Sequence, residues 1–257
     1  MRNRYVDIED RSQDLRDLLQ QDPEFQADYL RKFELTLLHH ENALEGVVYT
    51  IQELDAALRG ITVAEASVMN GYRDIVNHEA AFAIVREEAQ AKKPKVTLAL
   101  VKKLYETLGQ GFEDRETADL RAEMPLHRTY FHEIAQPAKI APQLATLMEV
   151  VESSDFKSVH AVQRSSRFQH EFMRIFPYTE GSGRIARLIG NLYLMSGGLD
   201  PVVIHAVDRQ RYYESFRLGE PLLRELILES YEGQLANAEN FARQAIADRR
   251  RLRSARA

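Results

Sequence analysis

An all-α fold is what this sequence predicts, and three observations carry the prediction. Apolar residues recur at three- and four-residue steps along most of the chain. Most of these runs end at a glycine or proline. Strand-like composition is confined to short stretches. With 257 residues, 44% apolar and 28% charged, the chain has enough material to bury a large core. No repeat, low-complexity segment or Pro/Gly/Ser-rich linker divides it, so residues 1–257 read as a single domain.

In chain order, Phe25, Tyr29, Phe33, Leu37, Leu38 and Leu44 mark a helix from Asp22 to about Glu45, interrupted by Gly46. Val47 to Tyr49 favours an extended piece, and Thr50 then starts a helical pattern through Leu54 and Leu58 that ends near Gly60. A long helix is expected from Thr62 to about Lys92, broken at Pro94. Thr97 is placed to cap a helix carrying Leu98, Val101, Leu104, Tyr105 and Leu108, which stops at Gly109 and Gly111. Phe112 to Pro142 is irregular, and Arg128 to Ile134 within it favours a small β-hairpin. Helices follow at Leu144 to Val151, Phe156 to Ile175 and Ile185 to Ser196, the last stopped by Gly197 and Gly198. After a bridge from Pro201 to Ile204 come a helix holding Tyr212, Tyr213 and Phe216 and a final one from about Glu220 to Arg250.

The net charge of -5 argues against a protein built to wrap nucleic acid, a role that leans on a positive field. The absence of cysteine excludes disulfides and thiolate metal sites. No stretch of about eighteen uncharged apolar residues occurs, and the N-terminus is charged, so the expectation is a cytoplasmic protein without a membrane span. The arginines at the C-terminal end, Arg243, Arg249, Arg250, Arg251, Arg253 and Arg256, read as a solvated helix face or tail. His39 and His40 are adjacent and point apart on a helix, which argues against a metal site there.

Ile175 to Arg187 (I-F-P-Y-T-E-G-S-G-R-I-A-R) is the segment densest in chemistry. Pro177 ends the preceding helix. Gly181 and Gly183 permit a tight turn and expose consecutive N–H groups at the positive end of the next helix, which is a cradle for phosphate or carboxylate. Arg184 and Arg187 are three apart and share a face from which forked donors can hold further anionic oxygens. The plain alternative is a glycine-rich helix connection whose arginines cover the surface.

Phe176-Pro177-Tyr178-Thr179-Glu180-Gly181-Ser182-Gly183-Arg184-Ile185-Ala186-Arg187 resembles the signature of the Fic (Fido) family, H-P-F-x-[D/E]-G-N-G-R-x-x-R. Glu41-Asn-Ala-Leu-Glu-Gly46 resembles that family's inhibitory-helix motif [S/T]-x-x-x-E-[G/N], with Glu41 in place of the hydroxyl residue. Arg128 to Ile134 stands where the family has a substrate-docking flap, and G-G-L-D-P-V-V-I-H followed by R-Q-R-Y-Y is similar to the segment behind its motif. The similarity spans roughly residues 25 to 235. It implies a Fic-type helical domain with a small β-hairpin flap: an inhibitory-type helix at about 24–46, a core at about 60–235, and a C-terminal helix with a basic tail at about 236–257.

The resemblance further implies transfer of AMP, or another phosphate-containing group, from ATP or a related nucleotide with Mg²⁺ to a protein hydroxyl. A protein partner or target follows from it, and a homodimer is compatible with it. By position, Glu180 is the metal carboxylate, Gly181, Ser182, Gly183 and Arg184 form the anion cradle, and Arg187 reaches the far phosphate or pairs with an inhibitory Glu45. Two positions depart from the pattern. Phe176 occupies the place of the catalytic histidine and has no titratable group, where general-base catalysis is worth roughly 10²- to 10⁴-fold. Ser182 replaces the asparagine, although its hydroxyl still offers a donor. The expectation is a nucleotide-binding relative that has lost most transferase chemistry and acts as a regulator or binding partner. An active transferase using His127, His132 or a water ordered by Glu45 as base is the alternative; His170 lies on another face.

Overall fold

A computed structural model describes residues 3–61, 66–113, 119–125 and 132–254, without the side chains of 66–68 and 247–254. Eleven α-helices make up the described fold: α1 (Arg4–Gln20), α2 (Pro23–Leu44), α3 (Ile51–Leu58), α4 (Ala66–Ala89), α5 (Leu98–Gly109), α6 (Pro137–Glu152), α7 (Ser154–Ser158), α8 (Ala161–Ile175), α9 (Ser182–Ser196), α10 (Arg209–Leu218) and α11 (Glu220–Ser254), with a 3₁₀ turn at Ala206–Asp208. No strand occurs among the described residues.

At the centre, α9 packs along α8 and also meets α4 and α5, while α11 crosses α8 and α1 lies on α11. Every residue from Ser182 to Leu194 is buried, as befits a helix enclosed on all sides. Gly190 permits the close α8–α9 approach, because a Cβ there would lie 2.3 Å from Gln169 Nε2 and 2.9 Å from Ser165 Oγ. Phe168 and Phe172 of α8, Ile185 and Ile189 of α9, and Leu223 and Ile227 of α11 share one apolar cluster.

Local signals in the sequence explain most helix boundaries. Thr50 and Glu53 form a capping box ahead of α3. The Thr97 hydroxyl accepts the Leu100 N–H at 3.1 Å. Gly46 adopts φ 92° just beyond α2, where its N–H and that of Val47 satisfy the carbonyls of Ala43 and Asn42.

Three expectations are corrected, and one helix is added. The charged N-terminus is helical, with Ile8, Leu15 and Leu19 buried and Arg4 and Arg11 paired with Glu225, Glu232 and Glu239 of α11. Helix α6 begins at Pro137, not Leu144, since proline is favoured in the first turn, and it runs on through Pro142. The expected helix from Phe156 to Ile175 is two, because Val159 is extended and His160 caps α8 through the Val162 N–H. Helix α9 begins at Ser182, so the second half of the central loop is helical. The hairpin expected at Arg128 to Ile134 lies largely outside the described residues, as does His127; its described end, from His132 to Ile134, is not strand.

Candidate functional site

The loop between α8 and α9 is shaped by its backbone. Phe176 has φ 48° and ψ 66° and is, among the described residues, the one non-glycine with positive φ. Such a conformation costs on the order of 1–3 kcal/mol and persists where its surroundings impose it. Here they do. Ala135 N–H donates to Arg174 O at 2.9 Å, and Arg121 N–H donates to Pro177 O at 2.9 Å. The buried Arg121 guanidinium donates to Phe176 O at 2.7 Å and Ile175 O at 3.3 Å, and also to the Ala135 carbonyl. His132 Nε2 donates to Met173 O at 2.9 Å. The carbonyls at the end of α8, which a helix leaves unmatched, are thus met by one upstream segment carrying a cation at the negative end of the helix.

The other half of the loop is the start of α9. Gly181, at φ 77°, precedes the helix, and the first helical bond runs from Ile185 N–H to Gly181 O. The N–H groups of Ser182, Gly183 and Arg184 therefore have no acceptor within the helix. The Ser182 hydroxyl donates to Tyr178 O at 2.9 Å and accepts the Tyr178 N–H at 3.0 Å. It closes the loop on itself, so what Ser182 offers outward is its backbone. Tyr178 stacks on Tyr105 of α5 with ring centroids 3.9 Å apart.

Arg184 and Arg187 are not on the surface: they are 6% and 2% exposed. Arg184 forms a two-pronged pair with Asp74 of α4, at 2.5 and 2.7 Å, and reaches Asn42 Oδ1 of α2 at 3.1 Å. Arg187 donates from Nε to Glu41 Oε2 at 2.6 Å and from Nη2 to Glu45 Oε1 at 2.7 Å. Burial opposes the charge of Arg187, but Glu41 and Glu45 outweigh it and hold the guanidinium protonated. The two carboxyls differ. Burial raises the pKa of Glu41 despite Arg187, whereas for Glu45 the pull of Arg187 and Arg184 overcomes burial and lowers it.

Glu45 is further held by α10. Tyr213 donates its hydroxyl to Leu44 O at 3.1 Å and lies 3.3 Å from Glu45 Oε1, and Arg209 Nε donates to Leu44 O at 2.8 Å. Tyr212 and Phe216 are buried core residues. Of the other histidines, His39 contacts Tyr49 O, His40 accepts the Ala206 N–H, and His170 pairs with Glu171. His132, a candidate base by sequence, is 3% exposed and braces the end of α8.

A cavity of about 520 Å³ opens in front of α9, lined by Glu45, Tyr49, Asp74, Phe176, Glu180 and the Gly181–Arg184 turn among others. That volume lies within the range of about 300–1,000 Å³ usual for ligand sites. Two observations fit an anionic group here. Arg184 Nε and Arg187 Nη1 are buried donors without a partner among the described residues. A Cβ on Gly183 would lie 2.7 Å from Glu45 Oε1 and 3.2 Å from Arg187 Nη1, so the carboxylate of Glu45 occupies the space above that glycine. Glu180, exposed at the cavity edge, is the kind of single oxygen ligand that suits Mg²⁺ shared with phosphates.

Of the residues singled out by sequence, the fold gathers Glu45, His132, Phe176, Glu180 and the turn Gly181, Ser182, Gly183 and Arg184 at this cavity. Arg187 lies behind Glu45. Sequence reasoning missed Asp74, Asn42, Arg121 and the bonding role of Glu41. The signal for Asp74 was its spacing: Asp74, His78, Ala81, Phe82 and Val85 follow one buried face of α4, and a carboxylate on a core face calls for a buried partner.

Residues 95–194 match the Fic/DOC family. The chain is 23% identical over 177 residues to the protein adenylyltransferase Fic of Nematostella vectensis, covering 69% of this chain and 41% of that protein. It is 20% identical over 191 residues to the protein adenylyltransferase fic-1 of Caenorhabditis briggsae, covering 74% and 37%. It therefore spans about two fifths of the length of these curated relatives. A Fic domain containing signaling protein from Bacteroides thetaiotaomicron has a similar fold, with a TM-score of 0.79 at 20% identity over 94% of this chain and 97% of that one. Fic-1 from C. elegans gives 0.75 at 17% identity over 93% and 74%.

Proposed function

We propose that this chain, of the Fic/DOC family by its matched segment and its fold, binds a nucleotide through the α9 turn and has lost most capacity to transfer AMP. Phe176 carries that reading. Its backbone holds the left-handed turn beside the cradle, yet its side chain can take no proton from an attacking hydroxyl.

In this reading the N–H groups of Ser182, Gly183 and Arg184 receive phosphate oxygens, and the unpartnered Nη1 of Arg187 stands close by, beside the Cα of Gly183 on the same side as Glu45. Glu180 holds Mg²⁺, which when bound neutralises phosphate charge. Glu45, above Gly183, stands where a terminal phosphate competes for Arg187. The chain then serves as a nucleotide-responsive partner of another protein.

Calorimetry with ATP and Mg²⁺ tests the binding, and absence of heat up to millimolar ATP defeats it. Incubation with labelled ATP tests the chemistry: no label is transferred while Phe176 is in place. Phe176→His combined with Ser182→Asn and Glu45→Gly is expected to restore some self-modification. Label transferred by the chain with Phe176 intact overturns the reading in favour of a different base.

A further inference from the structure

Glu41 is 5% exposed, lies away from the cavity lining, and engages the same guanidinium as Glu45. Its Oε2 accepts from Arg187 Nε at 2.6 Å, and its backbone carbonyl accepts from Nη2 at 3.3 Å. Glu45, with a side chain 20% exposed, takes Nη2 at 2.7 Å from the cavity side. A single carboxylate was expected to restrain Arg187; two hold it, where the resembling motif has a hydroxyl residue at position 41.

We infer that Glu41 and Glu45 form a two-carboxylate clamp on Arg187, so that displacing Glu45 alone does not make this arginine available as a full positive charge to an incoming phosphate. The inference rests on the nucleotide reading above and concerns regulation of the same site. The inner bond cannot be reached by a ligand. It fixes the plane of the guanidinium and keeps a negative charge beside it after the outer carboxylate leaves. A phosphate arriving at Gly183 then meets Nη1 of an arginine already neutralised by Glu41, and the attraction is correspondingly reduced. Glu41 stands in the last turn of α2 and Glu45 directly follows that turn, with Asn42 of the turn on Arg184. Full release therefore requires α2 to withdraw as a unit, as binding of a protein to α2 would achieve.

The clamp is tested by two measurements, one needing no ligand. The first is exchange of the Arg187 Nε–H followed by nitrogen NMR. It is expected to stay slow in Glu45→Gln and to quicken by about tenfold or more in Glu41→Ser, which cannot reach the guanidinium. Loss of protection in Glu45→Gln, or unchanged protection in Glu41→Ser, overturns the clamp. The second is calorimetry with Mg²⁺-ATP and with inorganic tripolyphosphate. Glu45→Gln is expected to gain less than about threefold in affinity, and Glu41→Gln with Glu45→Gln about tenfold or more. A full gain from Glu45→Gln alone overturns the clamp. If no variant binds either compound, the nucleotide reading fails, and the exchange measurement still decides whether Glu41 holds Arg187.

Discussion

On the cavity side of the central loop, Phe176, Glu180 and Gly181 line an open surface; on the core side, Arg184 and Arg187 are enclosed and each is bound by carboxylates from a different helix. The two sides are three to eleven residues apart in sequence, yet they answer to different demands. A buried charge without its partner is strongly unfavourable, so folding itself retains Asp74, Glu41, Arg184 and Arg187. Nothing in folding retains an imidazole at position 176. The side that stability does not guard is the one that holds Phe176.

The sharpest way to break that contrast is at Arg187. Arg187→Met leaves Glu41 buried without its cation and is expected to cost about 3–5 kcal/mol in denaturant unfolding; a loss below about 1 kcal/mol would mean that the core side is no more constrained than the cavity side. Asp74→Asn keeps one acceptor for Arg184 but removes the charge, with an expected loss of about 1–3 kcal/mol by the same measurement. Tyr213→Phe removes the hydroxyl bound to Leu44 O and near Glu45, for about 0.5–1.5 kcal/mol, and should loosen the end of α2 in hydrogen exchange. At the small end, Phe176→His is expected to change stability by less than about 1 kcal/mol, because the backbone turn is held by Arg121 and not by the ring.

Much of the fold was readable because its helices obey a simple period and are bounded by Thr50, Thr97, Gly46 and Gly197. The turn at Gly181–Gly183 was readable because glycines at a helix start leave few other conformations. What escaped were side chains whose meaning arises only across distance. Asp74 meets Arg184 over 110 residues and Arg121 meets Phe176 over 55, and in the sequence each looks like one more polar residue in a helix or loop. Glu41 was noticed as a departure from a motif, but that it bonds Arg187 depends on the angle at which α2 meets α9. Helix α1 was missed because its apolar positions are sparse, and its stability comes from docking on α11.

The staple that Arg121 and its neighbours place on the carbonyls of residues 174 to 177 separates the frame of the loop from the side chain at position 176. The end of α8 and the first half of the loop are held by Arg121, His132 and Ala135 from upstream, and every one of those bonds goes to a backbone carbonyl rather than to the side chain at position 176. A change of side chain at position 176 therefore leaves the bonds that frame the loop in place.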